Sequence, residues 1–576
     1  IRLSDRMCIA YSNKCMARVP SDFNMDAIEE DCRCIIETEE GPICGFREKN
    51  EELNIFKFKK IPYAKPPLGN LRFLPPSPVQ PWSEVLDCTQ EMPKPFSIYV
   101  NYEIIGSEDC LYLEVVTPSI KPDKPMPVMF WIGSFNYMVY VDFAWDPKLL
   151  LKQDIVYVRC GFRLGPFGFL SSNDFTAPGN NGLKDIVMAM RWVQKNISKF
   201  GGDKNNVTIF GSSTGAAIVH LMMLSPMANG LFHKAIMQNA CALNNWALLK
   251  KPSTKLMELA RKMGITRTCV VEAVEDLRSF PAMDIMKACI EISLSEFDLS
   301  ASDIYESLFK PCLEDEFEGQ SAFLTKSPYL IVKSGNYNKV PFIIGSNNTE
   351  SHLFPHIKDE FYDYEKFKKN VNLLVPKPLA LHDASSTRFG QQLFDYYIGK
   401  ENSPEYVKSH YLQLVRDYNY LYYVNKTLRV HNRAVPECPI FYYIINSAGQ
   451  WRQTDVIKFF TCVGYSAEIP FIFELKKYPD LWQGNRDALT TRSRVIKMWT
   501  NFAKYGTPTP DENDPLLNIK WEPVESESKI NYLSIGTELT KGRNPFSDRM
   551  RFWEDLHLEH RFLTTLVYFN DLGVSW

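Results

Sequence analysis

The chain has 576 residues, 45% hydrophobic and 23% charged, which is ample for a large buried core. Its formal net charge of −3 comes with scattered Lys and Arg, so there is no basic footprint for nucleic acid, and the short run Lys57-Phe58-Lys59-Lys60 reads as a solvated strand edge. No stretch of about 18 apolar residues occurs, so no segment is expected to span a bilayer.

Residues 1–37 read as a polar, cysteine-rich extension without periodicity, and residues 38–576 as one mixed strand and helix body. Five of the 14 cysteines (Cys8, Cys15, Cys32, Cys34 and Cys44) fall in the first 44 residues, a usage that favours an oxidising, extracellular compartment. Neither CxxC pairs nor interleaved histidines accompany them, so disulfides are favoured over zinc, and no metal or cofactor is expected. The chain opens at Ile1 without a signal-peptide pattern, so any targeting or anchoring segment is expected to lie outside it. Sequons mark Asn196, Asn347 and Asn425 as candidate glycosylation sites, with Asn206 set aside as too close to a core strand.

Apolar runs at 127–132, 155–160, 207–210, 234–238, 341–344 and 439–445 predict strands. Helical patterns separate them. Leu183, Ile186, Val187, Met190, Val193 and Ile197 recur at helical spacing until Gly201-Gly202 stops the segment. Such alternation predicts an α/β fold with a mostly parallel central sheet covered by helices on both faces. Within it, Gly211-Ser212-Ser213-Thr214-Gly215 has the Gly-x-Ser-x-Gly spacing of a nucleophile elbow, a sharp strand-to-helix turn that lifts a serine hydroxyl to a helix N-terminus. The strand residues 207–210 before it and the apolar helix 216–223 after it supply the required context. Ser213 is thereby the nucleophile position.

Several segments, in order over residues 38–565, resemble the cholinesterase and carboxylesterase branch of the α/β-hydrolases. Lys60-Ile61-Pro62-Tyr63-Ala64-Lys65-Pro66-Pro67 is similar to its GIPYAxPP segment, and Ser107-Glu108-Asp109-Cys110-Leu111-Tyr112-Leu113 to its SEDCLYLN motif. Phe162-Arg163-Leu164-Gly165, Gly179-Asn180-Asn181-Gly182 and Met550-Arg551-Phe552-Trp553 match further along. The resemblance implies a Cys88–Cys110 disulfide and an altered second one, in which Cys289 could replace the usual partner of Cys269.

It also implies a catalytic triad and an oxyanion hole, and here the chain departs from the pattern. Glu350 matches the acidic position. Aligning Glu468-Ile469 and Phe471-Ile472-Phe473 puts Tyr465 where the histidine belongs, and a tyrosine, with an ordinary pKa near 10, is a poor base at neutral pH. The oxyanion glycines are replaced in Ser134-Phe135-Asn136, leaving the Thr214 N–H as the donor retained. Loss of a triad base costs on the order of 10⁴ to 10⁶ in kcat. Ser213 and Glu350 equally suit purely structural roles, a small residue at a tight turn and a local hydrogen-bond acceptor.

On these grounds the chain resembles the non-catalytic cholinesterase-like adhesion proteins, the group of neurotactin, glutactin, gliotactin and the neuroligins. The expected function is then a catalytically inactive extracellular body that binds a protein partner. The alternatives are an active carboxylesterase with a non-standard base, or a carrier of apolar ligands.

Overall fold

Seven parallel strands form the middle of one 13-stranded sheet, in a computed structural model that describes residues 33–49, 53–98, 103–140, 145–296, 308–348, 362–379, 383–446, 468–475, 482 and 484–571. In chain order the strands are β1 (Arg33–Glu37), β2 (Pro42–Lys49), β3 (Asn54–Pro62), β4 (Leu86–Asp87), β5 (Tyr112–Thr117), β6 (Met126–Ile132), β7 (Val156–Cys160), β8 (Gly202–Ser212), β9 (Lys234–Gln238), β10 (Phe342–Asn347), β11 (Ile440–Ile445), β12 (Asn531–Ile535) and β13 (Leu539–Arg543). Across the sheet they run β1-β2-β3-β5-β7-β6-β8-β9-β10-β11-β12-β13, with β4 beside β2. From β7 to β12 every pairing is parallel, and the flanking pairs are antiparallel except that β4 runs parallel to β2.

The parallel strands are apolar on both sides because helices cover both faces. Val128, Phe130, Ile132, Ile209, Met237 and Ile344 point into one core, shared with α1 (Asn181–Asn196), α2 (Thr214–Leu224) and α3 (Tyr422–Ala434). The alternate residues Met129, Trp131, Phe210, Ile236, Ile343 and Tyr443 point into the other, shared with α4 (Ile469–Ile472) and α5 (Arg486–Tyr505). That alternation is the period-2 geometry of a strand. α1 puts Leu183, Ile186, Val187, Met190 and Val193 on its buried stripe, and the chain turns at Gly201 with φ 80°. α2 differs in being buried at every position, so its hydrophobicity is not confined to a stripe.

All six expected strands are present, with β8 longer than the apolar run because Gly202 pairs with Met126 before a register shift. The N-terminal boundary moves. Residues 33–37 form β1, paired with β2 from Arg33↔Phe46 to Glu37↔Pro42, so part of the expected extension belongs to the sheet.

The expected disulfides do not form among the described residues. Cys88 and Cys110 are separate buried thiols; Cys88 Sγ donates to the Lys60 carbonyl at 3.2 Å, and burial pushes its thiol up to about 12. Cys269 is exposed at the start of the helix Val270–Ser279, whereas Cys289 is fully buried inside Ala282–Glu296, so these two sulfurs occupy different environments and do not pair. Cys8, Cys15 and Cys32 lie outside the described residues. The glycosylation candidates are also corrected. Asn196 is 0% exposed, its amide bonded to Glu40 Oε2 and the Trp192 carbonyl; Asn347 and Asn425 are buried as well, the latter bonded to Arg429. Side chains sealed this way leave no room for a glycan. Asn206, the one set aside, is the most accessible of the four and accepts from Lys234.

Candidate active site

β8 ends at Ser212 and α2 begins at Thr214, so Ser213 alone carries the turn. Its φ of 56° and ψ of −121° lie outside the regions an L-residue prefers, a strain that persists only where the surroundings fix it. Three contacts do so. The Ser213 N–H donates to the Gln238 carbonyl on β9 at 2.9 Å, its carbonyl accepts from Ala217 at 3.1 Å, and the Thr214 hydroxyl donates to the Ser134 carbonyl at 2.6 Å. The side chain of Ser213 is not spent on capping its helix.

The flanking glycines are required by distance. A Cβ on Gly215 would lie 2.2 Å from the Ile132 carbonyl oxygen, and one on Gly211 would lie 2.7 Å from the Gly215 and Ile132 backbones. α2 therefore packs directly on the end of β6, and Ser213 is held where the first-turn N–H groups have no intrahelical acceptor. Such an end favours developing negative charge.

The segment Ser134-Phe135-Asn136, expected at the oxyanion position, adopts a turn of its own. Asn136 and Tyr137 both have positive φ (52° and 56°), and Phe135 exchanges backbone hydrogen bonds with Val139 at 3.1 and 2.9 Å. The Phe135 N–H is thus consumed locally, while its ring packs on the core beneath α4 and α5. Tyr137 is buried, with its hydroxyl on the Ala247 carbonyl at 3.2 Å.

None of the described histidines bonds Ser213. His220 and His431 meet Nε2 to Nε2 at 2.8 Å. His220 Nδ1 accepts from Ala242, and His431 Nδ1 meets the Tyr337 hydroxyl at 2.7 Å. Burial pushes His220 down to about 3 and His431 well below its usual value. His233 accepts from Val207, and His557 bonds the Trp553 carbonyl. Glu350 and Tyr465 lie outside the described residues, as do His352, His356 and His382.

What the sequence reading missed is a buried polar row behind the elbow. Glu468, the residue before α4, is fully buried; its Oε1 accepts from the Tyr443 hydroxyl at 2.8 Å, and desolvation pushes its carboxyl up to about 7 against hydrogen bonds that favour ionisation. Its Oε2, the Asn347 Oδ1 and both polar atoms of the Gln238 side chain are buried without a geometrically sound partner. The signal was present in the sequence: Glu468 is a carboxylate directly abutting the apolar segment Ile469 to Phe473.

A serine held on a strained strand-to-helix turn, at the C-terminal end of a central strand of a parallel sheet between helical layers, defines a serine-nucleophile α/β-hydrolase. The chain belongs to the carboxylesterase family, whose model matches residues 33–553. It is 30% identical to a juvenile hormone esterase of Tribolium castaneum, over 92% of this chain and 94% of that one. It is 29% identical to a cholinesterase of Mus musculus, over 90% and 85%, and 28% identical to venom carboxylesterase-6 of Apis mellifera, over 90% and 94%. These relatives are named as esterases, which overturns the expectation of a catalytically inactive adhesion body. Among the described residues no helix is long and apolar enough to cross a membrane.

Proposed function

We propose that this chain hydrolyses carboxylic esters through Ser213. The serine oxygen adds to the ester carbonyl and expels the alcohol, and water then releases the acid from the acyl-serine, regenerating the hydroxyl. The observation that carries the proposal is the strained Ser213 itself, pinned through its backbone while its side chain is left uncommitted. Strained backbone of this kind clusters at active sites. The departures from the family pattern set the rate. In this reading Glu350 is the acid, Tyr465 takes the place of the histidine, and the Thr214 N–H carries the oxyanion without the Phe135 N–H. A weak base and a reduced oxyanion hole make both steps slow, so short activated esters are the favoured substrates. The proposed setting is extracellular, supported by the likeness to a venom carboxylesterase, since the described cysteines are free thiols and lend no support of their own. The test is p-nitrophenyl acetate turnover by wild type and Ser213→Ala, with mass spectrometry of the quenched reaction to look for the acetyl group on Ser213. A rate equal in both proteins, with no acetyl adduct, removes the proposal.

A further inference from the structure

The β-sheet register places four residues in one row behind the nucleophile: Ser212 pairs with Gln238, Gln238 with Gly345, and Gly345 with Tyr443. Counted by alternation from Phe210, Ile236 and Ile343, the row faces α4 and α5. Gly345 has no side chain because the Tyr443 ring lies across it; a Cβ there would sit 1.9 Å from the ring. Tyr443 therefore reaches over β10 toward Gln238, whose carbonyl holds the Ser213 N–H at 2.9 Å. At its other end the Tyr443 hydroxyl donates to Glu468. The groups that face Glu468 are this hydroxyl from β11, the Asn347 amide from β10 and its own backbone N–H. α5 presents the Trp499 ring to Tyr443, at 5.1 Å between centroids, and no charged side chain among the described residues acts on the carboxyl.

We propose that Glu468 is a positioning residue for Ser213: as a carboxylate it anchors Tyr443, Tyr443 wedges Gln238, and Gln238 fixes the backbone of the nucleophile. The inference rests on the esterase reading above. An ionised acceptor holds a hydroxyl about twice as strongly as a neutral one, so protonation loosens the row while leaving it in place. With its carboxyl raised by burial to about 7, Glu468 changes state within the span from pH 5 to 9. Ser213-dependent ester turnover then rises with pH through an inflection that belongs to Glu468, a group that never touches substrate.

The experiment measures p-nitrophenyl acetate turnover from pH 5 to 9 for wild type, Glu468→Gln and Tyr443→Phe, each after subtraction of the Ser213→Ala rate, together with melting temperature over the same range. Wild type should fall a few-fold through an inflection near 7 to a lower plateau. Glu468→Gln keeps an acceptor but no titration, so the inflection should vanish while the rate at pH 8 stays within a few-fold. Tyr443→Phe cuts the link and should also lose the inflection in rate, yet retain the carboxyl's effect on melting. The same inflection in Glu468→Gln, even at a uniformly lower rate, assigns a merely structural role and overturns the proposal. Failure of the esterase reading looks different, because no variant then shows a Ser213-dependent rate at any pH.

Discussion

Replacing Gly215 with alanine tests the elbow more sharply than removing the nucleophile, because it leaves every reactive atom in place. The added Cβ would lie 2.2 Å from the Ile132 carbonyl oxygen, where ordinary contact begins near 3.4 Å, so α2 and the end of β6 must separate by about 1.2 Å. Overpacking of this kind costs about 1–3 kcal/mol. For 576 residues at roughly 2.1 cal/mol/K each, the unfolding entropy is about 1.2 kcal/mol/K, so the melting temperature should fall by only about 1–3 °C. Turnover should fall much further, since a displacement of about 1 Å in a reacting group costs on the order of 10²-fold. Gly230→Ala is the control, with φ 74° but no atom within 4 Å of the new Cβ; it should lower stability and leave turnover alone. Wild-type turnover in Gly215→Ala would refute the direct packing of α2 on β6.

Asp185→Ala should cost about 3–5 kcal/mol, because it strands Arg163, which is buried and donates to both Asp185 oxygens at 2.6 and 2.8 Å; denaturant unfolding checks this, and a loss under 1 kcal/mol contradicts it. Alkylation without reductant should modify Cys269 in the native protein and Cys88, Cys110 and Cys289 only after denaturation; failure of Cys88 and Cys110 to react in denaturant would restore their disulfide. Acid stability has two opposed contributions. His220 and His431 are depressed when folded, so they give stability that is present above the unfolded value of about 6.5 and lost as pH falls through it; Glu468 is raised, so its stability is complete below about 4.5 and lost as pH rises through about 7. Between pH 5 and 6 Glu468→Gln should therefore steepen the loss on acidification by one proton, about 1.4 kcal/mol per pH unit, and an unchanged slope would mean that Glu468 does not titrate there.

The parallel sheet was legible because strands buried on both faces are written as continuous apolar runs, and the run at 234–238 coincides with β9. The elbow was legible because its two glycines answer to real distances. Other features were not, and for physical reasons. A sequon or a family cysteine carries no burial information, so Asn196 and the Cys88–Cys110 pair were misread. β1 was hidden because among Cys34 to Glu37 only Ile36 is buried, giving no alternation to detect at a sheet edge. Phe135 showed that glycines were gone, but the tight turn at Asn136 and Tyr137 that consumes its N–H depends on positive φ values which neither residue announces. Inferring lost function from the expected triad overreached, since a departure from a family motif does not say what the chain is kept for, and its relatives are named as esterases. The polar row was invisible because Gln238, Gly345 and Tyr443 are brought together only by register across three strands.

The central claim is that Ser213 is a working nucleophile, and acyl transfer to it is the direct measurement. Wild-type protein mixed with p-nitrophenyl acetate should release a burst of nitrophenol stoichiometric with enzyme, followed by slow turnover, with an acetyl group located on Ser213 by mass spectrometry and absent from Ser213→Ala. No burst, no adduct, and equal release by wild type, Ser213→Ala and buffer would contradict the account.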